Sequence, residues 1–406
     1  MNDPHQPLPS APSRPLHEWR SVLHQKQWDR ATWRTTLWWV RQALRRTPEI
    51  ARQARRNLRR YGSRVENEYG ISRSRQFLRQ CYIAFRHDTS PTTYYTYFLY
   101  EPERWEVSHT LLYDSWKSHR YMVYTLYTLS DTPPDEKEVL NDKLLFFDRC
   151  ETHDLPTPSL LAVFEDGTVR RPRDAAPSLP RKDVFVKPRA GSKGQGAAKY
   201  TYVGEDCWLN GDASYDSSAL FGALEKRSED EAVLLQPALR NDASWGPFTS
   251  GALASVRLIT GRTPQGDITP LGAKLRMPVG DTHVDNISAG GIFSQVELDS
   301  GRMSMGVSMR PIDDTFRHES HPDTGHPLPG AILPHWEEVV QLGCRAHSAC
   351  DVITIGWDIA LTTDGLSILE GNCGWSANLL LIPQIRLHRY AILYDAWMQK
   401  LGDRIP

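Results

Sequence analysis

Long hydrophobic runs are missing from this sequence. Its longest apolar stretches are short pieces such as residues 379–383, far below the roughly 18 residues that a membrane-crossing helix requires. Cysteine is scarce. Cys81, Cys150, Cys207, Cys344, Cys350 and Cys373 form no C-x-x-C pair, which argues against a disulfide framework and against a cysteine zinc site. A secretory leader is not expected either, because residues 1–18 are polar and rich in proline with no apolar centre. Net charge is almost absent, 48 Lys+Arg standing against 49 Asp+Glu for a formal value of −1. Glycine (27) and proline (28) are too few for a fibrous or low-complexity chain, and 40% hydrophobic residues exclude global disorder. These absences describe a folded protein of a reducing cytoplasm, long enough at 406 residues for two or three structural units.

What is present is unevenly distributed. Residues 1–62 carry a balance of +9 and the rest of the chain −10, so a basic accessory unit precedes a mildly acidic body. Residues 1–15 hold five prolines and read as a flexible tail. Residues 16–135 form a basic, Trp- and Tyr-rich, mainly helical region. Trp33, Leu37, Val40 and Leu44 line one helix face. Thr47-Pro48-Glu49 reads as a cap, a first-turn proline and an acid at the positive end of the dipole. A second helix then carries Ala51, Ala54, Leu58 and Tyr61 on one face, with Gly62 as its end. Trp28, Trp33, Trp38 and Trp39 stand among arginines. Two readings follow for residues 18–62: an anchor on an anionic membrane surface, which would place the protein peripherally at the inner membrane, or a stripe packed on the body. No base-reading motif accompanies the charge, so nucleic acid is not expected as a partner.

Further along, the tyrosines of 90–100 predict a core or a domain seam, and Asp131-Thr-Pro-Pro-Asp-Glu-Lys137 a linker. Beyond it, short strands (183–187, 233–236) alternate with glycine turns and with helices near 218–227 and 335–349, an α+β grammar.

Two segments carry chemistry. In Asp183-Val-Phe-Val-Lys187-Pro-Arg-Ala-Gly191-Ser192-Lys-Gly194-Gln-Gly196, a strand ends in a lysine and a glycine-rich turn follows before a returning strand at 198–203. Backbone N–H groups in such a turn approach phosphate oxygens closely, and the lysine adds positive charge. The sequence is not the Walker pattern. The second segment runs from Ile355 to Asn372, two apolar strands around a Thr-Thr-Asp-Gly turn. Glu370 and Asn372 share a face by alternation, and Asp358 on the opposing strand can join them. Two carboxylates and an amide oxygen suit Mg²⁺.

Taken together, the two segments resemble the ATP-grasp superfamily over roughly residues 136–385. The resemblance implies an ATP-grasp fold in which 136–235 and 236–400 are two α+β subdomains gripping ATP, preceded by a helical N-terminal extension. Asp142-Lys143 before a helix and His153-Asp-Leu-Pro-Thr-Pro158 stand where that superfamily has comparable elements. Lys143 and Lys187 resemble its phosphate-facing lysines, and Gly191, Ser192, Gly194 and Gly196 its phosphate lid. Val233 to Leu239 resembles the hinge, with Gln236 and Ala238 presented to adenine; glutamate is usual where Gln236 stands. Asp242 takes the place of the ribose-holding acid.

Ser255-Val-Arg257 and Asp285-Asn286-Ile-Ser-Ala-Gly290-Gly291 look like elements of the amino-acid ligase branch. His321-Pro-Asp-Thr-Gly325, Pro329-Gly330 and Pro334-His-Trp336 look like the sugar-transfer-associated subgroup found beside polysaccharide genes. The resemblance implies a ligase joining a small-molecule or glycan-linked carboxylate to an amine. Asp358, Glu370 and Asn372 would hold Mg²⁺. Arg257 would stabilise an acyl-phosphate and the tetrahedral intermediate, Lys274 would add cationic charge, and Asn286 would close over the γ-phosphate. Arg276 would add cationic charge, and His283 and His321 are acceptor-site candidates. A phosphotransferase of the same fold and a non-catalytic membrane-associated adaptor remain alternatives.

Overall fold

A computed structural model describes residues 46–87, 89–106, 108, 126–127, 132–171, 179–191, 195–280, 291–312, 315–375 and 388–401. The chain divides into two compact units. One takes residues 132–262 and 266–375; the other groups the described residues up to 131 with 263–265 and those beyond 375. Residues 1–45, with Trp28, Trp33, Trp38 and Trp39, lie outside the described residues, as do Ser192, Gly194, His283, Asn286 and Gly290.

In the N-terminal unit, helix α1 (residues 46–57) already includes Arg46, so Thr47 sits within it rather than capping it. The helix does not end at Gly62. A π-helical turn, Leu58–Gly62, leads into α2 (Ser63–Tyr69), which stops at Gly70 in the left-handed conformation. Gly62 instead serves close packing, since a Cβ there would come within 3.1 Å of Leu58 Cδ2. Helix α3 (Arg73–Arg86) follows, capped by Ser72. Tyr94, Tyr95, Phe98 and Leu99 are buried, and ring contacts join Tyr95 to Tyr61 (5.1 Å) and Tyr94 (5.0 Å). The tyrosine-rich stretch is core.

The second unit begins with two helices. Most of the expected linker is helix: α4 (Pro134–Asn141) opens on a proline in its first turn, with Asp135 and Glu136 beside it, and Pro there costs no hydrogen bond. Helix α5 (Lys143–Thr152) follows at once. The first sheet holds β1 (Ala162–Glu165), β2 (Thr168–Arg171), β3 (Val184–Pro188), β4 (Ala198–Gly204), β5 (Cys207–Asn210), β6 (Ala213–Tyr215) and β7 (Val233–Pro237). They run in the order β2-β1-β7-β3-β4-β5-β6. One face packs under α6 (Ser217–Ser228) through Phe164, Val184, Val186, Leu220, Leu224 and Leu235. Alternation therefore turns Lys187 and Gln236 to the opposite face.

The second sheet holds β8 (Ser255–Arg262), β9 (Ile268–Met277), β10 (Ile292–Val296), β11 (Met303–Ile312), β12 (Thr315–His318), β13 (Thr354–Thr362) and β14 (Gly365–Asn372). Their order is β12-β11-β10-β9-β8-β13-β14. Helix α7 (Trp336–Ser348) buries Val339, Leu342 and Ala346. His347 at its end is fully buried between Thr260 Oγ1 (2.6 Å) and the Val352 carbonyl (2.7 Å), and burial lowers its pKa to about 4. It stays neutral and joins helix to sheet. The two sheets meet where the segment before β1 reaches β14: Ile368 N–H donates to the Pro156 carbonyl (2.8 Å) and Thr157 Oγ1 to the Ile368 carbonyl (3.0 Å).

The architecture is α+β, with a helical region ahead of it. No helix among the described residues is long and apolar enough to cross a membrane.

Candidate active site

The site starts from strand register. Neighbouring strands β14, β13, β8, β9 and β10 place Glu370 opposite Asp358, Asp358 opposite Arg257, Arg257 opposite Lys274 and Lys274 opposite Gln295. Directly opposed residues project to one side of a sheet, so these five form a row in which two acids are followed by two cations and a neutral amide. Gly371, between Glu370 and Asn372, points the other way. A Cβ on it would come within 2.8 Å of both Leu140 Cδ2 and Trp357 Cζ3. Glu-Gly-Asn is thus two polar groups on the site face and a close approach behind. Replacing Gly371 by alanine is expected to cost about 1–3 kcal/mol by overpacking and to lower turnover as the strand shifts; urea unfolding and an ATPase assay measure the two.

Asp358 is buried at the centre of an arginine clamp. Arg257 Nε contacts its Oδ1, Arg257 donates from a terminal nitrogen to Oδ2 at 2.8 Å, and Arg276 lies 2.7 Å from Oδ2. Burial alone would raise the Asp358 carboxyl, but the two guanidinium groups hold it well below the usual carboxylate range. Both oxygens are engaged, so Asp358 stands here as an arginine partner and not as the open metal ligand expected from sequence. A buried carboxylate next to two arginines is stabilised by pairing with them. Arg276 also donates to Ser255 Oγ (2.8 Å), the residue opposite it on β8. The sequence reading had given Arg276 no more than general cationic charge; its grip on Asp358 depends on register across three strands.

Glu370 behaves differently. Its carboxyl is raised by burial and then by Asp358, while Arg257 lies 3.9 Å away and Asn372 Nδ2 donates to it at 2.9 Å. Among the described residues no group of three His, Cys, Asp or Glu side chains is placed to hold a metal ion. The donor chemistry of Glu370 and Asn372 nevertheless fits a hard divalent ion, because a cation beside a carboxyl that burial has raised restores its ionised form.

Two lysines face this carboxylate. Asp142 caps α5, accepting from Leu144 and Leu145 N–H (2.9 and 3.1 Å) and from Arg189 Nε (2.7 Å). That cap fixes Lys143 as the first residue of the helix, where the dipole disfavours a cation and an anion would relieve the conflict. Lys143 Nζ donates to the Gly191 carbonyl (3.0 Å), whose φ of +104° requires glycine. Burial lowers the Lys143 pKa against the pull of Glu370 and Asp142. Lys187 is pushed down to about 8 by burial and then by Lys143, with Glu370 opposing. Lys143, Lys187 and Glu370 are thus electrostatic neighbours contributed by both sheets and by α5.

The remaining expected residues are placed otherwise. Lys274 is buried with its ammonium 4.9 Å from the Phe293 ring centroid, a cation–π position. Gln236 Nε2 donates to the Pro158 carbonyl (2.9 Å) and Ala238 N–H to the Asp183 carbonyl (3.0 Å). The Ala238 N–H is thus spent inside the protein, whereas the Gln236 bond engages its side chain and not the backbone groups of the hinge. Asp242 caps a 3₁₀ turn, Ala243–Phe248, accepting from Ser244 N–H (2.9 Å) and Oγ (2.6 Å). Gly196 accepts from Arg227 (2.6 Å) at its carbonyl. His321 is a structural residue: it is buried, with Nε2 on the Pro278 carbonyl (2.9 Å) and Nδ1 facing Asp323 and Thr324 N–H (3.3 and 3.4 Å).

Against this geometry, the model of one family, described as sugar-transfer associated ATP-grasp, matches residues 124–387. The chain belongs to this family. The match spans both sheets, the arginine clamp, both lysines and the Glu370–Asn372 edge. No curated protein matches the chain. Among solved structures it is similar to an L-amino acid ligase from Bacillus licheniformis, at 12% identity over 64% of this chain and 48% of that one, with a TM-score of 0.37. It is also similar to N5-carboxyaminoimidazole synthetase from Staphylococcus aureus complexed with ADP, at 10% identity over 59% and 45%, TM-score 0.32. A third is D-cycloserine synthetase DcsG, at 13% identity over 72% and 82%, TM-score 0.37. The chain spans about half the length of the first two of these structures. In this ATP-grasp protein Lys143, Lys187 and Glu370 interact although they come from α5 and from two antiparallel sheets.

Proposed function

We propose that this protein uses ATP to activate a carboxylate as an acyl-phosphate and couples it to an amine, one of the two partners being a sugar or a glycan precursor. One observation carries the reading: two lysines whose charge burial disfavours stand beside a carboxyl raised by burial, next to a paired arginine cluster. A triphosphate repels an incoming carboxylate, so catalysis of their reaction requires fixed positive charge at both. Lys143 and Lys187 supply it at the phosphates, and gain most from an anion because both are disfavoured as cations without one. Glu370 and Asn372 would hold Mg²⁺, which when bound neutralises phosphate charge.

Arg257 and Arg276 are preorganised by Asp358, so their guanidinium groups bind the developing negative charge without rearrangement. A carboxylate oxygen attacks the γ-phosphorus as the bond to ADP breaks. The amine nitrogen then adds to the acyl carbon, loses its proton and expels phosphate. Polysaccharide modification is the setting that the family description suggests.

Incubation with γ-labelled ATP and pools of acids, amines and sugars tests the reading. A ligase forms ADP, free labelled phosphate and an amide in equal amounts. Label retained on the acceptor would identify a phosphotransferase and overturn the proposal.

A further inference from the structure

Helix α3 turns amides inward: Gln76 and Gln80 are fully buried, beside Ile83 and Ala84. The Gln76 amide donates to the carbonyls of Gly62 (2.9 Å) and Ile71 (2.7 Å) and accepts from the Tyr95 hydroxyl (2.7 Å). Gln80 accepts from Asn57 Nδ2 (2.9 Å). These bonds fix which side of the helix faces in, since rolling it would leave buried amides unpaired.

Three large apolar side chains are left pointing outward. Leu78, Tyr82 and Phe85 recur at four and three residues, on one face, and are 66%, 52% and 52% exposed. Phe77 and Cys81 continue the stripe half-buried. Trp105 lies 6.0 Å from the Tyr82 ring, and exposed Arg75 and Arg86 border it. A surface helix ordinarily buries such a stripe. The surroundings are strongly basic: residues 46–87 carry 11 arginines and no lysine against 3 glutamates and no aspartate.

We propose that this face of α3 docks on an anionic lipid surface, its Leu, Tyr and Phe side chains entering the boundary between headgroups and acyl chains. The arginines then face lipid phosphates. Charge complementarity points to this partner. Residues 16–45 carry a balance of +4 and residues 46–87 a balance of +8, so neither the preceding segment nor the same basic face of a second copy is attracted to this surface, whereas an anionic bilayer is. Of the surface expected within residues 18–62, residues 18–45 lie outside the described residues. In α1 the apolar face is turned inward, Ala54 being fully buried.

The test is sedimentation of the full-length protein with phosphatidylglycerol/phosphatidylcholine vesicles and with phosphatidylcholine alone. The wild type is compared with the triple variant Leu78→Ser, Tyr82→Ser, Phe85→Ser and with the double variant Arg75→Gln, Arg86→Gln. The wild type is expected to pellet with the anionic vesicles, less so at high salt. The triple variant is expected to lose at least about tenfold in partitioning, and the double variant to lose its preference for anionic lipid, both with ATP turnover and melting temperature unchanged. Wild-type partitioning by both variants would overturn the proposal. So would a triple variant that keeps vesicle binding but melts earlier, showing that the chain itself covers the face, or one that keeps binding but dissociates from dimer to monomer in light scattering.

Discussion

Glu370→Gln is expected to lower ATP turnover on the order of 10²-fold or more while leaving the protein at least as stable as the wild type. The two halves of that result have one cause. Burial and the Asp358 carboxylate raise the Glu370 pKa, so ionised Glu370 destabilises the fold at neutral pH. For an acid whose folded pKa is raised, the folded state binds more protons than the unfolded, and stability falls as pH rises through that window. Glutamine removes the charge, keeps the shape and still accepts from Asn372. A group kept for structure would show the opposite, a lower melting temperature with turnover preserved. Melting curves from pH 4 to pH 8 alongside steady-state ADP release distinguish the two, and unchanged turnover would remove Glu370 from the site.

Lys187→Met should separate binding from stability in the same way. With its pKa pushed down to about 8, Lys187 binds fewer protons folded than unfolded between about pH 8 and its ordinary value of 10.5. Stability of the ligand-free protein therefore rises with pH across that window. The variant should flatten this rise and melt roughly 2–4 °C higher at pH 7, since a half-buried cation has been replaced by an apolar chain of similar length.

Nucleotide affinity should move the other way. Phosphate favours the protonated lysine, so wild-type affinity weakens as pH passes upward through about 8, and binding above that pH takes up a proton. The variant should bind ATP about tenfold or more weakly and show no proton uptake. Titration calorimetry in buffers of different ionisation enthalpy reads both effects. Equal affinity with an unchanged pH profile would take Lys187 away from the phosphates.

The order of chemistry-bearing residues was legible along the chain because each depends on local pattern. Asp142 ahead of a helix, Lys187 near the end of a strand, and Glu370 with Asn372 two apart on a strand all survive as elements. Alternation at period two sufficed to put the last two on one face. Local pattern misled where the environment, not the residue type, sets the role. His321 has the chemistry of a site residue, yet burial and three neighbours make it structural. The proline-rich start of α4 carries the same turn residues that mark a linker, because proline suits both a loop and the first turn of a helix.

The sequence by itself determined that a strand carrying Lys187 and a hairpin with a Glu-Gly-Asn edge would exist, since periodicity and turn chemistry are properties of neighbouring residues. Tertiary structure alone decided that Arg276 and Arg257 would share Asp358, that Ala238 N–H would be spent on Asp183, and that α3 would turn its glutamines inward and its aromatics out. Those outcomes depend on strand register and on which buried polar groups find partners. Both are settled between residues tens or hundreds of positions apart, where no local pattern reaches.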